Sequence, residues 1–402
     1  MMIKPPPQLF IRRPESPESV RARTAVPDDI IFVEKIETIE AFEASRLAYE
    51  AVYATDPHRN VFVSWPWLRA YLTSMAGTWC ILAARSMREH RYVAFCPLEI
   101  RRVAIGPVTL DVELFFAINP TADYTSIIMD QSLEQITSTS TITALSSAIN
   151  AMTWDNFHVN NVADPRVARI IKRLKADHNV EDLPANPSRR IQLAPTWELY
   201  LGNKQGYAGR RRLRYTLRTL ERLPNLRLEE AATENLSRCI DALLLLNHRR
   251  WRTNLKKAQQ TYGKLFHAAF YRGCCRIFVA WDGDTPVAAQ AAFIDPERRS
   301  WGVYMLGYNP DYARYSPGTG IVALTMQRAI KEGYRDYDFL RGDEPYKERF
   351  GTDLHHLENW IVRRRGTRNR IIKIGRSSYY RLKAIARRIL LGKPLATSEY
   401  IA

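Results

Sequence analysis

Asn309-Pro-Asp-Tyr-Ala-Arg-Tyr-Ser-Pro-Gly-Thr-Gly320 leaves one apolar run, Ser300–Tyr308 (SWGVYMLGY), and enters another, residues 318–331. The first reads as a strand. The second reads as a helix, with Ile321, Leu324, Ala329 and Ile330 on its apolar side and Gly333 as its stop. A helix entered through Gly318 and Gly320 offers backbone N–H groups with no side chain in the way, which suits a phosphate. Pro317 fits the first helical turn, where a missing N–H costs nothing. The glycines alone also suit a plain strand-to-helix turn. Gly318, Gly320 and Ala323 spell the GxGxxA dinucleotide fingerprint too, but there the glycines follow their strand at once, and here nine residues intervene.

Outward from this loop the pattern stays regular. Residues 276–281 and 286–294 form two apolar runs around Asp282-Gly283-Asp284, a hairpin signal in which both turn residues are expected at positive φ. Helices are expected at 234–251 and 262–271, and a final strand at 337–340. Residues 30–190 repeat the plan more faintly: a helix at 64–73, strands at 79–84 and 92–100, a helix at 134–150, a strand at 156–160 and a helix at 167–175. Two such halves suggest an internal duplication.

The hairpin FVAWDGDTPVAAQAAFI (278–294), the strand WGVYMLGY (301–308), the loop ARYSPGTG (313–320) and the closing DYDFLRGDEPYKERFG (336–351) resemble the GNAT acetyltransferase superfamily. They look most like its double-lobed CelD/BcsL-type and FemAB-like members. Tyr315, Gly318 and Gly320 stand where the usual loop has Arg or Gln, Gly, and Gly or Ala. The leading Arg or Gln is therefore replaced, and Asn309 stands where an Asp is usual. The resemblance is good from 229 to 362 and architectural over 30–190. It implies an α/β (α+β) fold of two tandem GNAT-like lobes, each a mixed, mostly antiparallel sheet flanked by helices. The expected organisation is a disordered proline-rich tail (1–29), a degenerate lobe (30–190), an acyltransferase lobe (191–362) and a basic amphipathic tail (363–402).

The resemblance further implies acetyl-CoA or another acyl-CoA as donor, with no metal. The pantetheine arm would lie along Tyr304, Met305 and Leu306, and the pyrophosphate on Tyr315, Ser316, Gly318, Thr319 and Gly320. Acyl transfer from a thioester requires a base for the acceptor, a stabilised carbonyl oxygen and a proton for the departing thiolate. Asp343 and Glu344 are candidate bases, and Tyr346 lies where GNAT enzymes often place the thiolate's acid. Arg341, Lys347 and Trp251 are candidate substrate contacts. A solvated turn pairing Asp343 and Glu344 with Arg341 and Lys347 is the plainer reading of the same residues. His355, His356 and His248 read as structural, and Cys274–Cys275 as core.

The chain has 402 residues, 46% hydrophobic and 25% charged, values of a globular protein with a sizeable core. Residues 135–154 carry no charge, but nine of the twenty are Ser or Thr, too polar to span a bilayer. The N-terminus has no apolar signal core, and the five scattered cysteines suit a reduced, cytoplasmic setting. The formal charge is +17. It is concentrated: residues 204–227 hold eight basic residues and one acid, and residues 363–393 hold twelve and none. Leu213, Leu217, Leu220 and Leu223 give the first segment an apolar stripe beneath its arginines. The second has a basic amphipathic pattern over 377–391, expected to lie on an acidic membrane surface at the inner face or to pack on its own protein. The sequence thus points to an acyl-CoA-dependent N- or O-acyltransferase. Its acceptor, on resemblance, is a sugar, polysaccharide precursor or other envelope-related small molecule. A FemAB-like aminoacyl-tRNA-dependent transferase, which would make tRNA the partner, and an inactive basic scaffold at the membrane remain the alternatives.

Overall fold

The computed structural model describes residues 29–365 apart from 75, 76, 106, 107, 118–120, 205 and 253. Of the tails expected over 1–29 and 363–402, residues 1–28 and 366–402 lie outside the described residues, while Arg363 and Arg364 belong to the last strand rather than to a tail, because they continue its ladder with Asn179 and His178.

The first half runs β1 (Ile31–Ile36), α1 (Ile39–Ala44), α2 (Arg46–Thr55), α3 (Trp65–Ser74), β2 (Thr78–Ser86), β3 (Arg91–Ile105), β4 (Val108–Phe116), β5 (Ile128–Met129), α4 (Gln135–Ala151), β6 (Asn156–Val162), α5 (Pro165–Leu174) and β7 (His178–Gln192). Two helices follow, α6 (Trp197–Lys204) and α7 (Tyr207–Leu220). The second half repeats the order: β8 (Leu226–Glu230), α8 (Leu236–Trp251), α9 (Leu255–Ala258), α10 (Lys264–Tyr271), β9 (Cys275–Asp282), β10 (Thr285–Asp295), β11 (Ser300–Tyr308), α11 (Pro317–Lys331), β12 (Asp336–Arg341), α12 (Pro345–Glu348) and β13 (Asp353–Arg364).

These strands form one mixed sheet in the order β1-β2-β3-β4-β6-β13-β7-β12-β11-β10-β9-β8, with β5 added beside β3. The order reads the same from both ends, so the duplication is a pseudo-twofold centred between β13 and β7. Among the described strands, β4–β6 and β11–β12 are the pairs that run parallel. The last strand of each half has crossed into the other: β13 lies against β6 and β7 against β12, and the two pair antiparallel along their length. Pro184 and Pro187 sit within β7, where a proline lacks a ladder N–H. The register shifts opposite Pro184, and Asn359 Nδ2 donates to the Pro184 carbonyl while Asn359 Oδ1 accepts from the Asn161 N–H at 2.8 Å.

One face of the sheet carries α1–α3 from the first half and α8 and α10 from the second in a single apolar cluster, including Phe42, Tyr49, Trp67, Phe266 and Phe293. The opposite face is covered by α4 and α5 in the first half and by α6, α7 and α11 in the second. The hairpin at Asp282 differs from the expectation in one respect. Its two-residue loop is Gly283–Asp284, and within it only Gly283 has positive φ, +59°. Glycine at the first central position is the other favoured hairpin solution.

Helix α8 lies so close to β11 that Gly307 has no room for a side chain. A Cβ there would lie 2.5 Å from the Leu246 carbonyl carbon and nearer still to the Asn247 nitrogen. Both are helix backbone, so relief requires moving the helix. Gly307→Ala is expected to lower the unfolding free energy by about 3 kcal/mol in a urea titration. Stability within about 0.5 kcal/mol of the parent would show that strand and helix yield easily there.

Candidate active site

Strands β11 and β12 pair over three residues, Ser300–Gly302 with Asp336–Asp338, and then separate. Two features drive them apart. A register shift in the β10–β11 ladder leaves Tyr304 as an extra residue on β11. On β12, Leu340 adopts φ +57° and its N–H turns back to Asp338 Oδ1 at 2.7 Å, and just beyond the strand Gly342 takes φ +105°. A leucine in the left-handed region is strained, and it persists because its side chain is buried between the strands against Gly302.

The gap holds two adjoining hollows, of about 400 and 270 Å³, both touched by Arg250, Leu306 and Tyr346. The outer one ends on Ser316, Pro317, Gly318 and Thr319, with Arg250 and Arg349 on its wall. The first N–H groups of a helix have no intrahelical partner. At α11 those of Gly318 and Thr319 therefore meet two guanidinium groups at one hollow, a setting for an anion. Ser316 takes φ +50° as it opens the helix. A buried hydrogen-bond cluster fixes α11 to the sheet beneath: Thr325 Oγ1 lies 2.8 Å from Tyr337 Oη and donates to Gln290 Oε1 at 3.2 Å.

The inner hollow brings together Asp123, Tyr262, Tyr304, Arg341, Glu344 and Tyr346. Burial raises the Tyr346 phenol above its ordinary range, Glu344 adding to the effect, and the Arg250 guanidinium lies 5.3 Å from its ring centre. Tyr304 Oη donates to the Thr121 carbonyl at 2.7 Å, tying the bulge to the first half. Asp123 comes from the same first-half connection, between β4 and β5. Burial pushes its carboxyl up to about 6, against the opposing pull of Arg341, whose Nε stands 3.5 Å away.

Of the residues singled out in the sequence, Met305, Leu306, Tyr304, Ser316, Gly318, Thr319, Arg341, Glu344 and Tyr346 line the cleft. Four expected residues have other work. Gly320 faces α7, where a Cβ would come 2.8 Å from Leu220, so it serves helix packing. Tyr315 packs with Leu220 and Leu223 rather than on the anion hollow. Asp343 is bound to Arg189, which also reaches Glu348 at 2.6 Å. Lys347 touches the inner hollow but is 2% exposed; its Nζ donates to the carbonyls of Arg341 (2.7 Å) and Gly342 (3.1 Å) and meets Glu344 at 2.8 Å. It holds the strand-end loop rather than a substrate. The side chain of Trp251 lies outside the described residues. Asp123, Arg250, Tyr262 and Arg349 are additions. Asp123 is a lone acid in a connection of the fainter half and carries no local motif, while Arg250 is masked by neighbouring arginines in sequence.

Residues 208–348 match the family described as Acetyltransferase (GNAT) domain. Both hollows of the cleft are built almost wholly from this domain. No curated protein matches the chain. Among solved structures, FemX is similar, with 11% identity and a TM-score of 0.56 over 81% of this chain and 96% of that one. A conserved protein of unknown function from Bacteroides thetaiotaomicron VPI-5482 gives 12% and 0.52, over 83% and 100%. A tandem GNAT protein from the clavulanic acid biosynthesis pathway gives 10% and 0.49, over 83% and 99%. At such identities the likeness is one of fold. The match to a GNAT domain supports a transferase. Among the described residues no group of His, Cys, Asp and Glu could hold a metal ion, and no helix is long and apolar enough to cross a membrane.

The assignment of Lys347 as a tie has a direct check. Lys347→Met leaves two partly buried carbonyls without their lysine donor and Glu344 without its partner, and should cost about 2 kcal/mol in chemical denaturation. A variant as stable as its parent would show an ammonium free to meet a ligand.

Proposed function

We propose that this chain transfers an acetyl or other acyl group from an acyl-CoA to an amine or hydroxyl of a small-molecule or glycan acceptor. The observation that carries this reading is the splayed β11–β12 cleft, which runs from the bulge at Tyr304 to the α11 N-terminus within the GNAT domain. The donor's pyrophosphate would rest on Gly318 and Thr319 between Arg250 and Arg349. Its pantetheine arm would follow Met305 and Leu306, placing the thioester in the inner hollow.

In that position the acceptor's lone pair attacks the thioester carbonyl carbon. The new C–N or C–O bond forms as the C–S bond breaks. The acceptor's proton passes to the Asp123 carboxylate, directly or through one water, and the Tyr346 hydroxyl gives its proton to the departing thiolate. The backbone of the bulged strand, freed from the ladder at Tyr304, supplies N–H groups for the carbonyl oxygen. Glu344, beside Lys347, is the second carboxylate at the cleft and keeps a share in the base's role. The basic segment 366–402 would hold the protein at an acidic membrane surface, near an envelope-related acceptor.

Calorimetric titration with acetyl-CoA and longer thioesters tests the donor site. Binding is expected, and Arg349→Glu, on an exposed side chain, should weaken it about tenfold, about 1.4 kcal/mol. Failure of the folded protein to bind any thioester would overturn the reading in favour of an aminoacyl-tRNA-dependent transferase or an inactive scaffold.

The raised pKa of Asp123 gives a pH signature. The carboxyl is protonated below about 6, so kcat/KM should fall as pH drops through that value. Asp123→Asn should abolish this limb and reduce kcat by about a hundredfold or more. Because the folded state binds this proton more tightly than the unfolded chain, the ionised form costs stability as pH rises from about 4 through 6. The Asn variant is therefore expected to be at least as stable as its parent at pH 7. Loss of stability together with activity would mark Asp123 as structural.

A further inference from the structure

A third hollow, of about 510 Å³, lies on the sheet face that carries Ser300, Gly302, Asp336 and Asp338, closed over by the turn 57–61. The pseudo-twofold shows why it is open. Phe115 and His158 pair across the parallel strands β4 and β6 as Gly302 and Asp338 do across β11 and β12. In the first half those positions are filled: the two rings stack 4.8 Å apart, and Arg101 covers Phe115 at 4.5 Å. In the second half glycine replaces the phenyl ring, and a cavity stands where the stack would be.

Its chemistry is amphoteric. Arg190, Arg298, His58 and His356 face it together with Asp336 and Asp338. Arg190 donates through Nε to His355 Nε2 at 2.9 Å. Burial, with Arg190 adding to it, keeps His355 below its ordinary pKa and so able to accept. Asp338, which lines the cavity, accepts through Oδ1 from Tyr124 Oη at 2.8 Å. The cavity also adjoins the acyl cleft. Gly302, Tyr124 and Leu340 line it, while their chain neighbours Val303, Asp123 and Arg341 line the inner hollow.

We propose that this cavity is the acceptor pocket, and that it takes a hydroxylated molecule bearing an oxyanion, such as a sugar with a phosphate or carboxylate group. The inference rests on the acyltransferase reading above. Arg190 meets the oxyanion, a planar fork suited to either group. The carboxylates of Asp336 and Asp338 accept from hydroxyls. The nucleophilic atom is presented at the Asp123–Tyr124 edge, where the base waits.

The test is calorimetry on the full chain, with and without acetyl-CoA, using glucosamine 6-phosphate, glucuronate and glucosamine as probes. Oxyanion-bearing probes should bind at least ten times more tightly than glucosamine, and the stronger of the two tells phosphate from carboxylate. Arg190→Ala, on an exposed side chain, should weaken that probe at least tenfold and leave acetyl-CoA affinity unchanged. No probe binding, or equal binding by parent and Arg190→Ala while acetyl-CoA still binds, overturns the acceptor pocket alone. Loss of acetyl-CoA binding in the parent would instead overturn the donor reading, and probe binding sensitive to Arg190→Ala would then leave an oxyanion site without a transferase.

Discussion

The pairing of β7 with β13 is the constraint on which the rest depends. Each strand ends one half and completes the sheet of the other, so neither half has a finished sheet alone. The antiparallel ladder from Asp353–Arg190 to Arg364–His178 is therefore the seam that makes twelve strands continuous. It also fixes distance. With the seam closed, the connection between β4 and β5 is carried to the mouth of the second half's cleft, and Asp123 and Tyr124 reach β12.

Both halves need the same break in the sheet. The parallel pairs β4–β6 and β11–β12 hold for three residues each, and a residue with positive φ follows on the second strand of each pair, Asn161 and Leu340. Asparagine tolerates that conformation, and Asn161 is held there by Asn359. Leucine does not, and Leu340 depends on its burial between the strands. The half that keeps an open cleft carries the more strained residue, as expected where strain accompanies a site.

Much of this was legible in the sequence. The runs that became β9, β10, β11 and α11 alternate or repeat so regularly that their bounds fall within a residue or two of expectation. The Gly318–Thr319 cradle was legible for the same reason, since a proline and glycines at a helix start have a local cause. What could not be read was long-range. β7 carries two prolines and its pattern assigns it no element, and only pairing with both β12 and β13 makes it a strand. Gly320 looks like a phosphate glycine by spacing, and its role changes because α7 lies against it. Asp343 and Lys347 sit in a charged cluster whose sequence cannot tell which members turn inward. Arg189, on a strand the pattern hides, takes one of them, and two backbone carbonyls take the other.

The first half lends the second several of its parts. Phe115 and His158 fill only the place that corresponds to the third hollow, where Gly302 and Asp338 stand in the second half. The first half contributes the carboxyl with the raised pKa, the carbonyl that anchors Tyr304 and the phenol that holds Asp338. A single lobe would leave the inner hollow open on the side these residues occupy, and Asp123 owes its perturbed proton affinity to that enclosure. Each half thus closes on the other: the exchanged strands hold the first half's β4–β5 connection against the second half's inner hollow.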